Sequence, residues 1–151
     1  MSIEDRLADL GIDLPRVTKP VAACGPAIQV GDQISTSGQL PLVSGSLPMT
    51  GLVGDQISQG DAAGQARVAA LNALAAAADV AGGVNNIRRV VRVVVYVAST
   101  ADFTAQPAVA NGASELFGEI FGDAGRHIRS AIGVASLPLG APVKVELTVQ
   151  V

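Results

Sequence analysis

Arg129 opens a C-terminal run in which Leu137-Pro138 and Gly140-Ala141-Pro142 mark turns and Val143 to Val151 alternates apolar with polar residues, as a half-buried strand does. A guanidinium at the start of such a run can stand at the mouth of a cleft, where its planar fork of donors meets a carboxylate in two parallel hydrogen bonds. That chemistry suits a small anionic ligand; an exposed strand-start arginine or a weak rim ion pair fits the residue type as well. Lys144 and Glu146 lie two residues apart in the last strand, so they share its polar face with Thr148 and Gln150, about 6 to 7 Å apart along the chain. That face is either simply solvated or part of a site. If Lys144 and Arg129 both reach one cleft, two positive charges converge there. His127, the only histidine, precedes Arg129 by two positions and would share its strand face, although a surface histidine in the loop after Gly125 is the plainer reading. The side chains of Ser37, Asn111 and Tyr96 can each donate or accept in a cleft. Cys24 is the only cysteine; with no basic neighbour or helix N-terminus in view to lower its pKa, it reads as a small apolar residue rather than a nucleophile. One His, one Cys and scattered carboxylates show no ligand spacing, so no metal site is expected. Residues 42–60 lack the Gly-Lys-Ser/Thr of a phosphate loop.

These residues need a frame, and the periodicities supply one. Ile3, Leu7 and Leu10 at helical spacing, with Ser2 as N-cap and Gly11 as a stop, predict a leader helix followed by an extended connection to about residue 20. Residues 27–30 and 33–37 flank Gly31-Asp32 as a hairpin. A glycine-rich loop over 42–57, with room for a short strand, leads to Ser58 and Asp61, which resemble a capping box. The helix behind them runs to about Val80, with Val68, Leu71, Leu74 and Ala78 expected on its buried face and Gly82-Gly83 ending it. Residues 87–98 hold six valines and predict a central strand buried on both sides. A second helix follows Pro107, with Val109, Ala113, Leu116, Phe117 and Ile120 on one face. Strands over about 128–135 and 143–151 complete an α+β domain with two helices on one face of a mixed sheet.

At 151 residues the chain is expected to be one domain, with residues 1–20 as its leader. Apolar residues make up 49% and charged residues only 15%, below the usual share of about a quarter. With so little charge to cover the surface, and helices on one sheet face only, the other face is expected to bury against further copies of the chain. The net charge of −3 and the lack of a run of lysines or arginines disfavour nucleic-acid partners. No apolar segment reaches the roughly 18 residues of a membrane span, and the N-terminus does not read as a secretory signal. Cytoplasm is the expected compartment.

Three stretches carry a resemblance. Arg129-Ser130, Val134, Leu137-Pro138 and Glu146 are similar to the C-terminal signature of the RidA/YjgF family, also labelled L-PSP endoribonuclease; Thr36-Ser37-Gly38-Gln39-Leu40-Pro41 resembles that family's Thr-Ser-Gly-Gln-Ile-Pro; and Asn111 precedes Phe117 as the family places an asparagine before an aromatic. The resemblance spans roughly residues 20–151. It implies a chorismate mutase-like fold, a homotrimer with ligand clefts between subunits, and an arginine at 129 that anchors the carboxylate of small imine or enamine acids, with Ser37, Asn111 and the backbone around Ala131 contributing polar groups. The activity it implies is cofactor-independent hydrolysis of 2-imino and 2-enamino acids to 2-oxo acids and ammonia; non-catalytic binding of small carboxylate metabolites is the alternative, and the endoribonuclease reading comes third. Two departures stand out. Lys144 occupies the place of the strand glutamate credited with positioning water, which leaves Glu146 as the substitute carboxylate. Cys24 occupies the place of a tyrosine that would wall the pocket.

Overall fold

In the last strand, β5 (Val143–Gln150), Val143, Val145, Leu147 and Val149 are buried while Lys144, Glu146, Thr148 and Gln150 are half-buried on the other side. This alternation builds the sheet around β5, because it gives one face to a core and keeps the other polar. The computed structural model describes residues 1–17 and 25–151. Its sheet has the order β1-β2-β5-β3-β4, with β1 (Ala27–Val30), β2 (Gln33–Thr36), β3 (Arg89–Ala98) and β4 (Ile128–Val134). All neighbours pair antiparallel except β3 and β4, so the sheet is mixed. Parallel strands need a crossover, and α3 (Gln106–Phe121) provides it between β3 and β4.

The expected hairpin forms with Ala27 opposite Thr36 and Val30 opposite Gln33. Gly31 takes a φ of 62°, which a two-residue turn of this kind asks of its first position. The glycine-rich segment after it forms only isolated bridges, such as Val53 to Ser99, and no strand; Asn72 pins it by donating to the carbonyls of Leu40 and Leu42 at 2.9 and 3.0 Å.

Two sequence expectations are corrected here. The helix α2 (Gln59–Ala81) starts at the Ser58 cap, whose Oγ accepts from the Asp61 N–H at 3.1 Å, and ends at Gly82 in the left-handed region. Its buried stripe, however, is Ala62, Ala66, Ala69, Ala70, Ala73, Leu74 and Ala77, whereas Val68 and Leu71 are only half-buried. Small residues win that face because α3 comes so close that a Cβ on Gly112 would run into the carbonyl of Ala63. On β3, Val90, Val93, Val95 and Val97 are fully buried, but Val91, Val94 and Tyr96 are only half-buried and Arg92 is exposed. A bulge between Val90 and Arg92 resets the alternation, so the valine run covers one face within a single chain and not two.

The face of α3 matches expectation, with Val109, Ala113, Leu116, Phe117 and Ile120 at 0–2% exposure. The leader helix α1 (Ile3–Asp9) carries a full capping box between Ser2 and Asp5 and is tied down where Leu7 is buried and Arg6 Nε donates to the Glu119 carbonyl at 2.9 Å. The connection that follows has no regular secondary structure through residue 17; its expected end near residue 20 lies outside the described residues. Among the described residues no helix is long and apolar enough to cross a membrane. The sheet face away from α2 and α3 exposes Ile28, Val30, Ile128 and Ile132, at 66%, 73%, 61% and 46%, more large apolar side chains than a solvated sheet face needs.

Candidate functional site

Arg129 pairs in register with Val93, a core residue, so its side chain leaves β4 on the helix side of the sheet. There Nη1 donates to Asn111 Oδ1 at 2.8 Å and to Ser114 Oγ at 3.1 Å. Both protons of Nη1 are thereby used. Among the described residues Nε and Nη2 donate to nothing, and the residue is exposed. The Nε–Nη2 edge of a guanidinium carries two parallel donors, the arrangement a carboxylate accepts in bidentate fashion. Asn111 and Ser114 stand three residues apart on α3, hence on one helix face. His127 joins them: its Nε2 lies 2.9 Å from Ser114 Oγ, its Nδ1 lies 2.6 Å from the Gly125 carbonyl, and its ring meets Phe117 edge-on at 6.2 Å. Ala131, two residues beyond Arg129 and paired with Val95, shares the same side of the sheet. β4 is an edge strand of the sheet, so alternate backbone groups along it face away from β3 with no strand beside them.

The other sequence-derived residues gather elsewhere. Lys144 pairs with Tyr96, and Glu146 with Val94, on the open face of the sheet, opposite to Arg129. Glu146 Oε1 accepts the Tyr96 hydroxyl proton at 3.0 Å. Burial pushes the Tyr96 phenol above its ordinary value of 10.0; the Glu146 carboxylate adds to that, through the hydrogen bond and through its charge, and the Arg92 charge opposes it. The Lys144 stem lies across Gly38, where a Cβ would run into its Cε and come within 2.8 Å of Cγ and Cδ. A side chain at position 38 would displace the lysine stem, so the glycine of the Ser-Gly-Gln stretch leaves room for Lys144 to lie across the chain. Thr36 Oγ1 then accepts the Leu147 N–H at 3.1 Å, and the strand pairing resumes at Gln39 with Val145. Ser37 is exposed, its Oγ accepting from Gln39 Nε2 at 3.1 Å, and it borders a cavity of about 340 Å³ with Gly25, Ile28 and Ser35.

The site residues therefore form two groups. Arg129, Asn111 and Ala131 stand together on the helix side of β4, and Ser37, Lys144 and Glu146 belong to the region of β2 and β5. Three strand spacings, about 14 Å, separate β2 from β4. Within one chain Arg129 and Lys144 stand on opposite faces of the sheet, so their charges could converge only across subunits. Cys24 lies outside the described residues. Sequence reasoning missed Ser114, although its spacing from Asn111 on the helix, set against the His127–Arg129 spacing on the strand, was a signal that the four could meet. It also left Tyr96 without the Glu146 partner that the β3–β5 register gives it.

A protein-family model described as "YjgF/chorismate mutase-like, putative endoribonuclease" matches residues 4–151. The α+β fold with a mixed sheet is the fold of that class, and with the match running over nearly the whole chain this protein is a member of the RidA/YjgF family. Protein TCP17 of Trypanosoma cruzi is 39% identical over 145 residues, covering 95% of this chain and 91% of that protein. The crystal structure of the protein Atu1372 from Agrobacterium tumefaciens is 40% identical, with a TM-score of 0.89, over 99% of this chain and 92% of that one. A solved structure from Shewanella oneidensis MR-1 is 31% identical, with a TM-score of 0.95, over 100% of both chains.

Proposed function

We propose that this protein binds small 2-imino or 2-enamino acids through Arg129 and hydrolyses them to 2-oxo acids and ammonia. The observation that carries the reading is the division of the guanidinium: Asn111 and Ser114 take both protons of Nη1, and the Nε–Nη2 edge is left exposed for a carboxylate. The chemistry asks little more of the protein. An enamine first tautomerises to the imine, gaining a proton at carbon and losing one from nitrogen; water then adds across the C=N bond, the resulting carbinolamine loses ammonia as its C–N bond breaks, and the carbonyl of the 2-oxo acid remains. Holding the imine by its carboxylate in a partly desolvated cleft supplies orientation, the larger share of what such a reaction needs.

The two groups of site residues support an intersubunit cleft, in which Ser37, Lys144 and Glu146 of one subunit approach Arg129 and Asn111 of the next in a homotrimer. The exposed Ile28, Val30, Ile128 and Ile132 on the open sheet face give that assembly its apolar contact.

Non-catalytic carboxylate binding is the second reading, and a specific observation favours it. Lys144 cannot accept a proton while charged, and the Glu146 carboxylate already accepts from Tyr96. An assay that generates imino acids freshly and follows 2-oxo acid release separates the readings. Release accelerated by the parent and abolished in Arg129→Ala supports hydrolysis; carboxylate binding without acceleration assigns the protein to the second.

A further inference from the structure

Arg129 is held by Ser114, and Ser114 is held in turn by His127; the chemistry of the three atoms fixes the direction of each bond. The Gly125 carbonyl can only accept, so the His127 Nδ1 at 2.6 Å carries a proton. In the neutral ring Nε2 then offers a lone pair, and Ser114 Oγ at 2.9 Å donates its single proton to it. That orientation leaves the lone pairs of Oγ for Arg129 Nη1 at 3.1 Å. Without the imidazole acceptor, the serine hydroxyl is free to rotate and to point its proton at the guanidinium, which it could not then accept from. We propose that Ser114 and His127 form a positioning relay for Arg129: the imidazole takes the serine proton, the serine holds Nη1 together with Asn111, and the Nε–Nη2 edge stays turned outward.

The relay joins two elements, because Ser114 rides on α3 while His127 and Arg129 flank the start of β4. The edge-on contact between His127 and the fully buried Phe117 fixes the imidazole on the core side, so the arrangement is anchored where the packing is tightest. The relay acts on how Arg129 is presented and touches no ligand itself. Its functional half rests on the carboxylate reading above; its geometric half does not.

The test therefore uses two readouts. Nitrogen-15 spectra of the full chain without ligand report the tautomer of its only histidine and the rotational order of the Arg129 guanidinium. The expected result is a proton on Nδ1 at neutral pH, and an ordered Arg129 signal that averages in Ser114→Ala and in His127→Phe and returns in Ser114→Thr. A proton on Nε2 in the neutral ring, or an Arg129 signal unchanged in both variants, overturns the relay whatever Arg129 binds. Titration with 2-oxobutyrate then reads the functional half. Each single variant should raise Kd by about three- to tenfold, and the double variant by no more than Ser114→Ala alone, since the histidine acts only through the serine. Additive losses would mean that the two residues stabilise the protein separately, which contradicts the relay. If Arg129→Ala leaves 2-oxobutyrate binding intact, the carboxylate reading fails together with the relay's functional half, while the spectra still decide its geometry.

Discussion

The two sides of the sheet solve the problem of an exposed polar group differently. On the helix side, Arg129 is partnered at one nitrogen and, among the described residues, open at the rest, so charge is fixed in place and still available. On the open face, Glu146 accepts from Tyr96 and the Lys144 stem is laid over Gly38, so the carboxylate is already engaged by its own chain and the lysine stem is packed against it. Under the proposed function, this division separates the group that would hold a carboxylate from the groups that would move a proton.

The largest effect that could break this comparison is expected at the arginine. Arg129→Ala removes two charge-assisted hydrogen bonds to a carboxylate, a loss of roughly a hundredfold or more in affinity. Its melting temperature should stay close to that of the parent, because the side chain is exposed. A large drop in melting temperature would show instead that the residue serves the fold.

Lys144→Glu tests the opposite face. It places a carboxylate where the resembled family keeps one, and turnover on imino acids should rise, on the order of a hundredfold if a general base is all that is missing. Unchanged turnover, ligand preference and pH profile would mark Lys144 as a solvated strand residue.

The open face also carries the proposed assembly. Light scattering at micromolar protein should give a single species of three times the 15.1 kDa chain mass, and Ile132→Asp should reduce it by placing a charge in an apolar contact. A monomeric parent would remove the intersubunit cleft.

The smallest expected effect is at Tyr96. It is the only tyrosine and there is no tryptophan, so phenolate absorbance reports this group alone. Its titration midpoint should lie above 10.0, and Glu146→Gln should lower it without returning it fully, since burial is the larger cause. The folded state favours the neutral phenol, so the stability this group contributes is present below the ordinary tyrosine pKa and is lost as pH rises through the higher folded value. A midpoint at the ordinary value would mean that the Tyr96–Glu146 pair does not persist in solution.

Much of the frame was legible because periodicity and punctuation agree along this chain. Ser2, Ser58, Pro107, Gly31 and Gly82 each mark a boundary that the structure keeps to within a residue or two. What was not legible depended on approach distance and register. The buried face of α2 went to alanines because α3 lies against it at Gly112, a fact of packing between helices. The second side of β3 stayed half-open because of a single bulge. Of the site, the residue types were legible and their grouping was not: Arg129 and Lys144 fall on opposite faces because of the β3–β4 and β3–β5 registers, which pair Arg129 with a core valine and Lys144 with Tyr96.

The shape of the Arg129 guanidinium matters as much as its charge in the proposed site, and calorimetric titration of 2-oxobutyrate into the parent and into Arg129→Lys tests that most directly. The predicted result is saturable binding of one ligand per chain to the parent and none measurable to the variant, because an ammonium cannot reproduce the Nε–Nη2 fork. Equal binding by the lysine variant would contradict it.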